Sequence, residues 1–162
     1  MGISGMNHAV LYVRDATRSA AFYEDVLGFA TVASFPGGAF LRAPESTNDH
    51  DLAFFTIGDD AGPSTAGRGS VGLYHLAWEV PTLAELAETA EDLGAADALI
   101  GASDHTVSKS LYAKDPDGLE FEVCWVVPAR LLGDVAAPSA RPLPLDLDTE
   151  IERYGATTPG GR

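Results

Sequence analysis

The chain has 162 residues and uses one unit twice, and this repeat constrains its fold more than any other feature. Two histidines, His8 and His75, lie 67 residues apart, and each opens a run of residues typical of a β-strand. Each run leads to a residue that can begin a helix, first Asp15 and then Thr82, again 67 residues apart. Because self-similarity at this spacing indicates one supersecondary unit used repeatedly, the sequence predicts two modules built alike.

The residues of the first module predict the element order βαβββ. Alternate residues of the strand His8–Val13 face opposite sides, and Asp15 can begin the next helix by accepting a hydrogen bond from a free backbone N–H. Gly28 can end that helix, because glycine adopts the left-handed conformation at little cost. Three strand candidates follow the helix: Ala30–Phe35, Gly38–Arg42 and Asp51–Ile57.

The second module repeats this order. Its helix is expected between Thr82, which forms a capping box with Glu85, and Gly94. Its later strands are expected at Ala98–Ile100, Ser108–Lys114 and Leu119–Val127. The resulting organisation is a first module over residues 5–60, a linker over 61–72, a second module over 73–127 and a C-terminal extension over 128–162. A helical turn is expected at Asp148–Tyr154, and disorder is expected after Thr157.

Two such modules predict an α+β fold. Each module alone would expose one face of a four-stranded sheet, so the modules are expected to pair into one curved mixed sheet. Its helices lie outside and its concave side forms a metal cleft. Strand alternation places Leu11 and Trp78 towards the helices, and His8 and His75 towards the cleft.

Composition narrows the classes of partner. The net charge of −14 disfavours nucleic acid and anionic membranes. No apolar run reaches the ~18 residues that span a bilayer, and the first five residues do not resemble a secretory signal. The single cysteine, Cys124, excludes an intrachain disulfide and suits a reducing compartment. A cytoplasmic protein is therefore expected.

A third ligand candidate accompanies the two histidines. Alternation along the last strand places Glu120, Glu122 and Cys124 on one face. Two imidazoles and one carboxylate can occupy one face of an octahedron and leave positions open for substrate and dioxygen, as in non-haem Fe(II) oxygenases. Glu122 is the predicted ligand, whereas Glu120 is expected to be a solvated carboxylate and Cys124 a small hydrophobe.

The repeated modules, with His8, His75 and Glu122 in these places, resemble the vicinal oxygen chelate superfamily. The resemblance covers residues 6–127 and is closest to type I extradiol dioxygenases of the catechol 2,3-dioxygenase kind. The tail segment Pro142–Asp148 is reminiscent of the same group. The resemblance implies that the two histidines and the glutamate bind Fe(II), or less often Mn(II).

Three further roles are implied by the resemblance. His50 precedes a Leu-Ala-Phe run and would be an acid/base beside dioxygen, and His105 would be a second histidine that contacts the substrate. Tyr112 lies ten residues before Glu122 and would hydrogen-bond a substrate oxygen. Leu119 stands where the family has an asparagine after the turn, a departure that removes no ligand.

The implied activity is insertion of dioxygen into a catechol-type ring next to its two hydroxyls. A catechol can chelate a metal through both oxygens, and coordination lowers the pKa of a bound hydroxyl. A neutral histidine can take the released proton, since its ordinary pKa of ~6.5 is near working pH. The expected partners are an aromatic diol, dioxygen and further copies of the chain in a homodimer or higher homo-oligomer.

Two other hypotheses for the function stay open. One is another metalloenzyme of the superfamily, such as a glyoxalase-like isomerase, an epimerase or a thiol transferase. A glyoxalase site normally has a fourth protein ligand from the last strand of the first module. That strand offers no carboxylate beyond Asp51 at its edge. A metal-free binding or resistance protein would have no need of His8, His75 and Glu122 together.

Overall fold

The computed structural model describes residues 2–67, 69–132 and 141–161. These residues form eight strands, three α-helices and one short 3₁₀ helix over Ala129–Leu131. In chain order they are β1 (Ala9–Val13), α1 (Ala16–Leu27), β2 (Ala30–Phe35), β3 (Gly38–Arg42), β4 (Leu52–Thr56), β5 (Leu76–Glu79), α2 (Leu83–Ala95), β6 (Leu99–Asp104), β7 (Ser108–Lys114), β8 (Glu120–Val126) and α3 (Leu147–Tyr154). The expected α+β class with two βαβββ modules is confirmed.

The two modules share one sheet topology. The first sheet has the strand order β1-β4-β3-β2 and the second β5-β8-β7-β6. In each, the first and last strands of the module pair in parallel and the other neighbours pair antiparallel. Both sheets also carry a register shift at the same place, between Thr31 and Ala33 and between Leu99 and Gly101. The repeat in the sequence is therefore a repeat in the backbone, down to its irregularities.

The chain divides into two compact units, whose boundaries differ from the expected ones at one turn. The first unit holds residues 1–64 with 115–118, and the second holds 65–114 with 119–162. Residues Asp115–Gly118 fall within the predicted second module of residues 73–127, but they group with the first unit. The guanidinium groups of Arg14 and Arg18, which belong to the first unit, lie 2.7 and 2.8 Å from Oδ1 of Asp117.

The core of the first unit lies between its sheet and α1. Buried residues of the sheet pack against Tyr23, which has 1% of its surface exposed. Asp15 begins α1 as expected, because its carboxylate accepts hydrogen bonds from the backbone N–H groups of Thr17 and Arg18. Gly28 ends it with a φ of 69°, the left-handed conformation that glycine allows. The residues that line this face of the sheet are Val13, Leu41, Leu52 and Phe54.

The helix of the second unit confirms one expected end and corrects the other. Thr82 begins α2 and accepts a hydrogen bond from the N–H of Glu85. The predicted end at Gly94 is wrong, because the helix runs to Ala95 and the left-handed residue is Asp97, with a φ of 54°. The Ala98 N–H reaches back to the Leu93 carbonyl and closes the turn. Tertiary and capping bonds therefore override the local preference of glycine.

The end of the chain packs against the second unit, which differs from the disorder expected after Thr157. The N–H of Gly160 donates to the Pro81 carbonyl at 2.8 Å, and the buried indole of Trp125 donates to the Thr158 carbonyl at 3.2 Å. The expected helical turn is α3, whose N-cap is Asp146. Residues 133–140 of the predicted C-terminal extension lie outside the described residues. These contacts give the tail fixed partners, which composition cannot reveal.

Among the helices that the structure describes, none is both long enough and apolar enough to cross a membrane.

Candidate functional site

Strand pairing in the second unit brings Glu122 close to His75. Along β8, Phe121 and Val123 are buried in the core, so alternation turns Glu122 to the opposite face. The neighbouring strand β5 runs parallel, with Ala77 opposite Glu122. His75 lies just before this strand, and its Nε2 is 3.0 Å from Oε2 of Glu122. The pairing of β5 with β8 thus brings the residue before β5 beside the carboxylate of Glu122.

This pair suits one divalent metal ion. Two neighbouring ligands that each bond a metal at ~2.1 Å are about 3 Å apart, which is the separation of the two donor atoms here. Both side chains are half-buried. The other ring nitrogen of His75, Nδ1, is buried and has no hydrogen-bond partner within the described residues. An orphaned buried nitrogen is typical of a functional site rather than of core packing.

Tyr112 lies on the same face as this pair. It is directly opposite Glu122 in the antiparallel pairing of β7 with β8, and its ring centroid is 6.0 Å from that of His75. Burial, and then the negative charge of Glu122, raise the pKa of the Tyr112 phenol above its ordinary value of 10.0. The hydroxyl therefore keeps its proton at neutral pH and is able to donate a hydrogen bond.

The loop between β6 and β7 brings His105 to Tyr112. The backbone N–H of His105 donates to the Ser108 carbonyl at 2.9 Å, which closes the loop. Nε2 of His105 is 2.7 Å from the Tyr112 hydroxyl, a hydrogen bond whose direction depends on the imidazole tautomer. Four of the six predicted site residues therefore lie in the second unit: His75, His105, Tyr112 and Glu122.

The other two predicted residues form a pair in the first unit. The rings of His8 and His50 have centroids 4.4 Å apart. Nδ1 of His50 is 2.8 Å from Oδ2 of Asp49, and this hydrogen bond lowers the pKa of the Asp49 carboxyl. Nδ1 of His8 is 2.6 Å from the side-chain oxygen of Asn7. Each imidazole thus has one nitrogen fixed by a neighbour in the chain.

Of the three predicted ligands, His75 and Glu122 lie together in the second unit, and His8 lies in the first unit. Over residues 2–67, 69–132 and 141–161, no three His, Cys, Asp or Glu side chains are grouped so that they could hold a metal. His75 and Glu122 are the two donors that already lie together. The competing carboxylate, Glu120, lies 3.6 Å from Nζ of Lys114, in keeping with its expected surface role.

Two residues next to predicted histidines had not been singled out in the sequence. Asp49 hydrogen-bonds His50, and the ring of Tyr74 lies 4.6 Å from that of His75. Each directly precedes the histidine that it contacts. Their adjacency in the chain was the available signal, since a polar or aromatic neighbour can hold an imidazole without any long-range contact.

Two curated proteins are similar to this chain over most of its length. Catechol-2,3-dioxygenase of Bacillus subtilis (strain 168) is 32% identical over 119 residues, which cover 73% of this chain and 40% of that protein. Biphenyl-2,3-diol 1,2-dioxygenase 3 of Rhodococcus globerulus is 33% identical over 124 residues, which cover 72% of this chain and 60% of that protein. The chain therefore spans about half the length of the curated relatives it matches.

A solved structure supports the same fold. The crystal structure of a glyoxylase/bleomycin resistance protein/dioxygenase domain from Frankia sp. EAN1pec superposes with a TM-score of 0.66 at 21% identity. The superposition covers 79% of this chain and 96% of that one. The family model for the Glyoxalase/Bleomycin resistance protein/Dioxygenase superfamily matches residues 5–123. With this match over most of its length, the chain belongs to the glyoxalase/bleomycin resistance protein/dioxygenase superfamily.

Proposed function

We propose that the protein is an Fe(II)-dependent extradiol dioxygenase that inserts dioxygen into a catechol-type ring next to its vicinal hydroxyls. The observation that carries the proposal is the pairing of His75 with Glu122 at 3.0 Å, on the face that also presents Tyr112. The two curated relatives, whose names are those of dioxygenases for aromatic diols, support it. Membership of the superfamily alone does not select this activity, since its own description spans several.

In the proposal, His75 and Glu122 are two metal ligands, and His8 is the third on its place in the repeat alone. Two imidazoles and a carboxylate suit Fe(II), and the same donors accept Mn(II). When bound, such an ion supplies a chelation point for both oxygens of the diol and the redox chemistry that dioxygen needs. Everything else in the proposal is assigned to side chains of the chain itself.

Tyr112 and His105 are proposed to accept and relay the proton that the substrate hydroxyl loses. The raised pKa of Tyr112 keeps its hydroxyl protonated, so the group can donate to a substrate oxygen while it accepts from elsewhere. Nε2 of His105 lies 2.7 Å from this hydroxyl, within the distance that direct proton transfer needs. The pair can therefore orient the substrate and pass a proton to an imidazole whose ordinary pKa is near 6.5.

His50 is proposed to be the acid/base that serves dioxygen. The Asp49 carboxylate only accepts hydrogen bonds when ionised, so it favours the proton on Nδ1 of His50. This leaves Nε2 as the nitrogen that exchanges a proton, and it fixes the ring orientation. The ring centroid of His8, the proposed third ligand, lies 4.4 Å from that of His50, and this proximity supports the assignment.

We propose a cytoplasmic location and a homodimer or higher homo-oligomer. Cys124 is the single cysteine of the chain and is half-buried, which suits a reducing compartment. Size-exclusion chromatography with light scattering measures the oligomeric state directly, and a mass of one chain would contradict the proposed assembly.

The test is dioxygen uptake by protein loaded anaerobically with Fe(II), across a broad panel of catechols. We expect catechol-dependent uptake together with a new visible absorption band from the ring-opened product. Protein loaded with Zn(II), which has no redox chemistry, is the matched control and should consume none. Full iron occupancy without uptake on any member of the panel would contradict the proposal.

A further inference from the structure

Lys109 is a fully buried lysine in β7 that the proposed chemistry does not use. Its relative exposure is 0%, and alternation places it with Leu111 and Ala113, on the core side of the sheet and opposite Tyr112. An ammonium in the interior is costly unless partners compensate its charge. The burial of Lys109 in β7 must therefore be explained by the groups that contact its ammonium.

Two carboxylates from distant parts of the unit hold this ammonium. Nζ of Lys109 lies 2.5 Å from Oδ1 of Asp104 and 2.8 Å from Oε2 of Glu150. It also lies 5.5 Å from the ring centroid of Tyr154, within the range of a cation–π contact. Asp104 is the last residue of β6, whereas Glu150 and Tyr154 belong to α3. One buried charge thus joins the C-terminal helix to the start of the loop that carries His105.

The loop itself is held in a strained shape. Oδ1 of Asp104 accepts a second hydrogen bond, from the backbone N–H of Thr106 at 2.7 Å. Thr106 has a φ of 71°, a conformation that is costly for a β-branched residue. The backbone of Asp104 is also paired with Leu143 of the C-terminal extension, in both directions. His105 therefore lies between a clamped carboxylate and a strained residue that the same carboxylate stabilises.

We propose that Lys109 is a positioning residue that fixes the orientation of His105 towards Tyr112. Glu150 forms an ion pair with the ammonium, and the ammonium forms a second ion pair with the Asp104 carboxylate. That carboxylate accepts the hydrogen bond from the Thr106 N–H that stabilises the turn. The C-terminal helix thereby sets the geometry of a proton-transfer pair in the site. The inference rests on the proposed function for the role of His105, but the contacts that carry it do not.

Stability alone is a weak reason for this arrangement. Replacing a buried ion pair by apolar residues of similar volume is often neutral or stabilising, because desolvating the charges offsets their attraction. A methionine would fill much of the same space in the core. The charge contributes something that an apolar side chain cannot: it fixes the position of the Asp104 carboxylate, which the strained turn needs.

The test is long-range ¹H–¹⁵N NMR of the four histidine side chains in the metal-free protein. The variant Lys109→Met/Glu150→Gln removes the ion pair without leaving a charged Glu150 in the core. We expect the ring nitrogen shifts of His105 to move towards those of a Tyr112→Phe variant, in which the hydrogen bond is absent. The shifts of His8 and His50 in the first unit should stay unchanged, and unchanged shifts of His75 would report intact folding of the second unit, which contains Lys109.

A matched control uses a surface ion pair whose lysine lies on β7, the strand that also carries Lys109. Lys114→Met/Glu120→Gln removes an ion pair of 3.6 Å whose lysine side chain is 47% exposed, and it should leave His105 unchanged. If the buried double variant fails to fold, Asp104→Asn decides the question. Its amide oxygen can still accept from the Thr106 N–H, but the charge facing Lys109 is gone. Wild-type His105 shifts in every folded variant of the buried cluster would overturn the proposal.

Kinetics provides a second readout. With iron content unchanged, we expect kcat of the buried variants to fall roughly ten- to hundredfold, as displacements of ~1 Å in a reacting group can produce. If the wild-type protein consumes no dioxygen, the proposed function fails, whereas the NMR result still decides whether Lys109 orients His105.

Discussion

Oε2 of Glu122 lies 3.0 Å from Nε2 of His75, and the parallel pairing of β5 with β8 produces this proximity. Glu122 lies within β8, and His75 directly precedes β5. Side chains anchored by strands keep their geometry more accurately than side chains on loops. Under the proposed function the two donors already lie close together before a metal binds, and the predictions below concern the residues around them.

The hydroxyl of Tyr112 should matter for turnover and not for metal binding. Tyr112→Phe removes the partner of His105 and the donor to the substrate oxygen, while the ring still packs on the sheet. Because acid–base groups typically contribute 10²–10⁴-fold, we expect kcat to fall at least ~100-fold. Iron content, measured by atomic absorption, should equal that of the wild type. A loss of iron along with activity would instead make Tyr112 a structural support of the ligands.

The raised pKa of Tyr112 can be observed directly. Burial and the Glu122 charge disfavour the phenolate, so the group ionises above its ordinary value of 10.0. The absorbance of tyrosinate is titrated in the wild type and in Tyr112→Phe, and the difference between the curves isolates this residue. We expect that difference to develop above pH 10. A midpoint below 10 would contradict the electrostatic environment described for the site.

Asp117 should make the first unit sensitive to acid. Burial alone would raise the pKa of its carboxyl, but hydrogen bonds from Arg14 and the charge of Arg18 outweigh this effect and lower it below 3.8. The stabilisation is therefore fully present above pH 3.8 and is lost as the pH falls through the lowered value. Asp117→Asn should cost roughly 1–2 kcal/mol at pH 7 and flatten the acid limb of the stability curve.

The control for this prediction is Asp25→Asn, because Asp25 is exposed in α1 and forms no ion pair with the residues that the structure describes. Urea denaturation at pH 7 and at acid pH measures both variants. If Asp117→Asn matches the control at both pH values, the Arg14–Asp117 contacts contribute no measurable stability.

Two glycine substitutions should have opposite effects. A Cβ on Gly160 would lie 2.7 Å from two atoms of the Trp125 indole, so Gly160→Ala should displace the tail and cost roughly 1–3 kcal/mol. Gly94 lies inside α2 with nothing within 4 Å of such a Cβ, so Gly94→Ala should stabilise by about 0.5–1 kcal/mol. Thermal unfolding compares the two, and Trp fluorescence should change only in the first. Equal melting temperatures would contradict the packed tail.

Local patterns were enough to predict the element order of the modules and the strand face on which Glu122 lies. Helix starts at Asp15 and Thr82 depend on one side chain and its own next turn, so the sequence specifies them. Strand alternation correctly turned Glu122 away from the core, because Phe121 and Val123 alternate with it. Contacts between predicted residues, such as His105 with Tyr112, follow once these elements pair.

What could not be predicted depends on distant partners. A lysine within a strand is usually solvated, and the burial of Lys109 becomes acceptable only through Glu150 and Asp104. The composition of the tail after Thr157 favours disorder, yet the N–H of Gly160 donates a hydrogen bond to the carbonyl of Pro81, which is distant in the sequence. Neither contact leaves a periodic signal in the sequence, so neither could be predicted from the sequence alone.

The most direct test of the account is the Fe(II) affinity of two glutamate variants that neighbour each other on β8. Glu122→Gln removes the proposed ligand, whereas Glu120→Gln changes a carboxylate on the same face that pairs with Lys114. Equilibrium titration under anaerobic conditions should show a loss of at least tenfold for Glu122→Gln and wild-type affinity for Glu120→Gln. Equal Fe(II) affinity of both variants and the wild type would contradict the assignment of His75 and Glu122 as metal ligands, on which the proposed function rests.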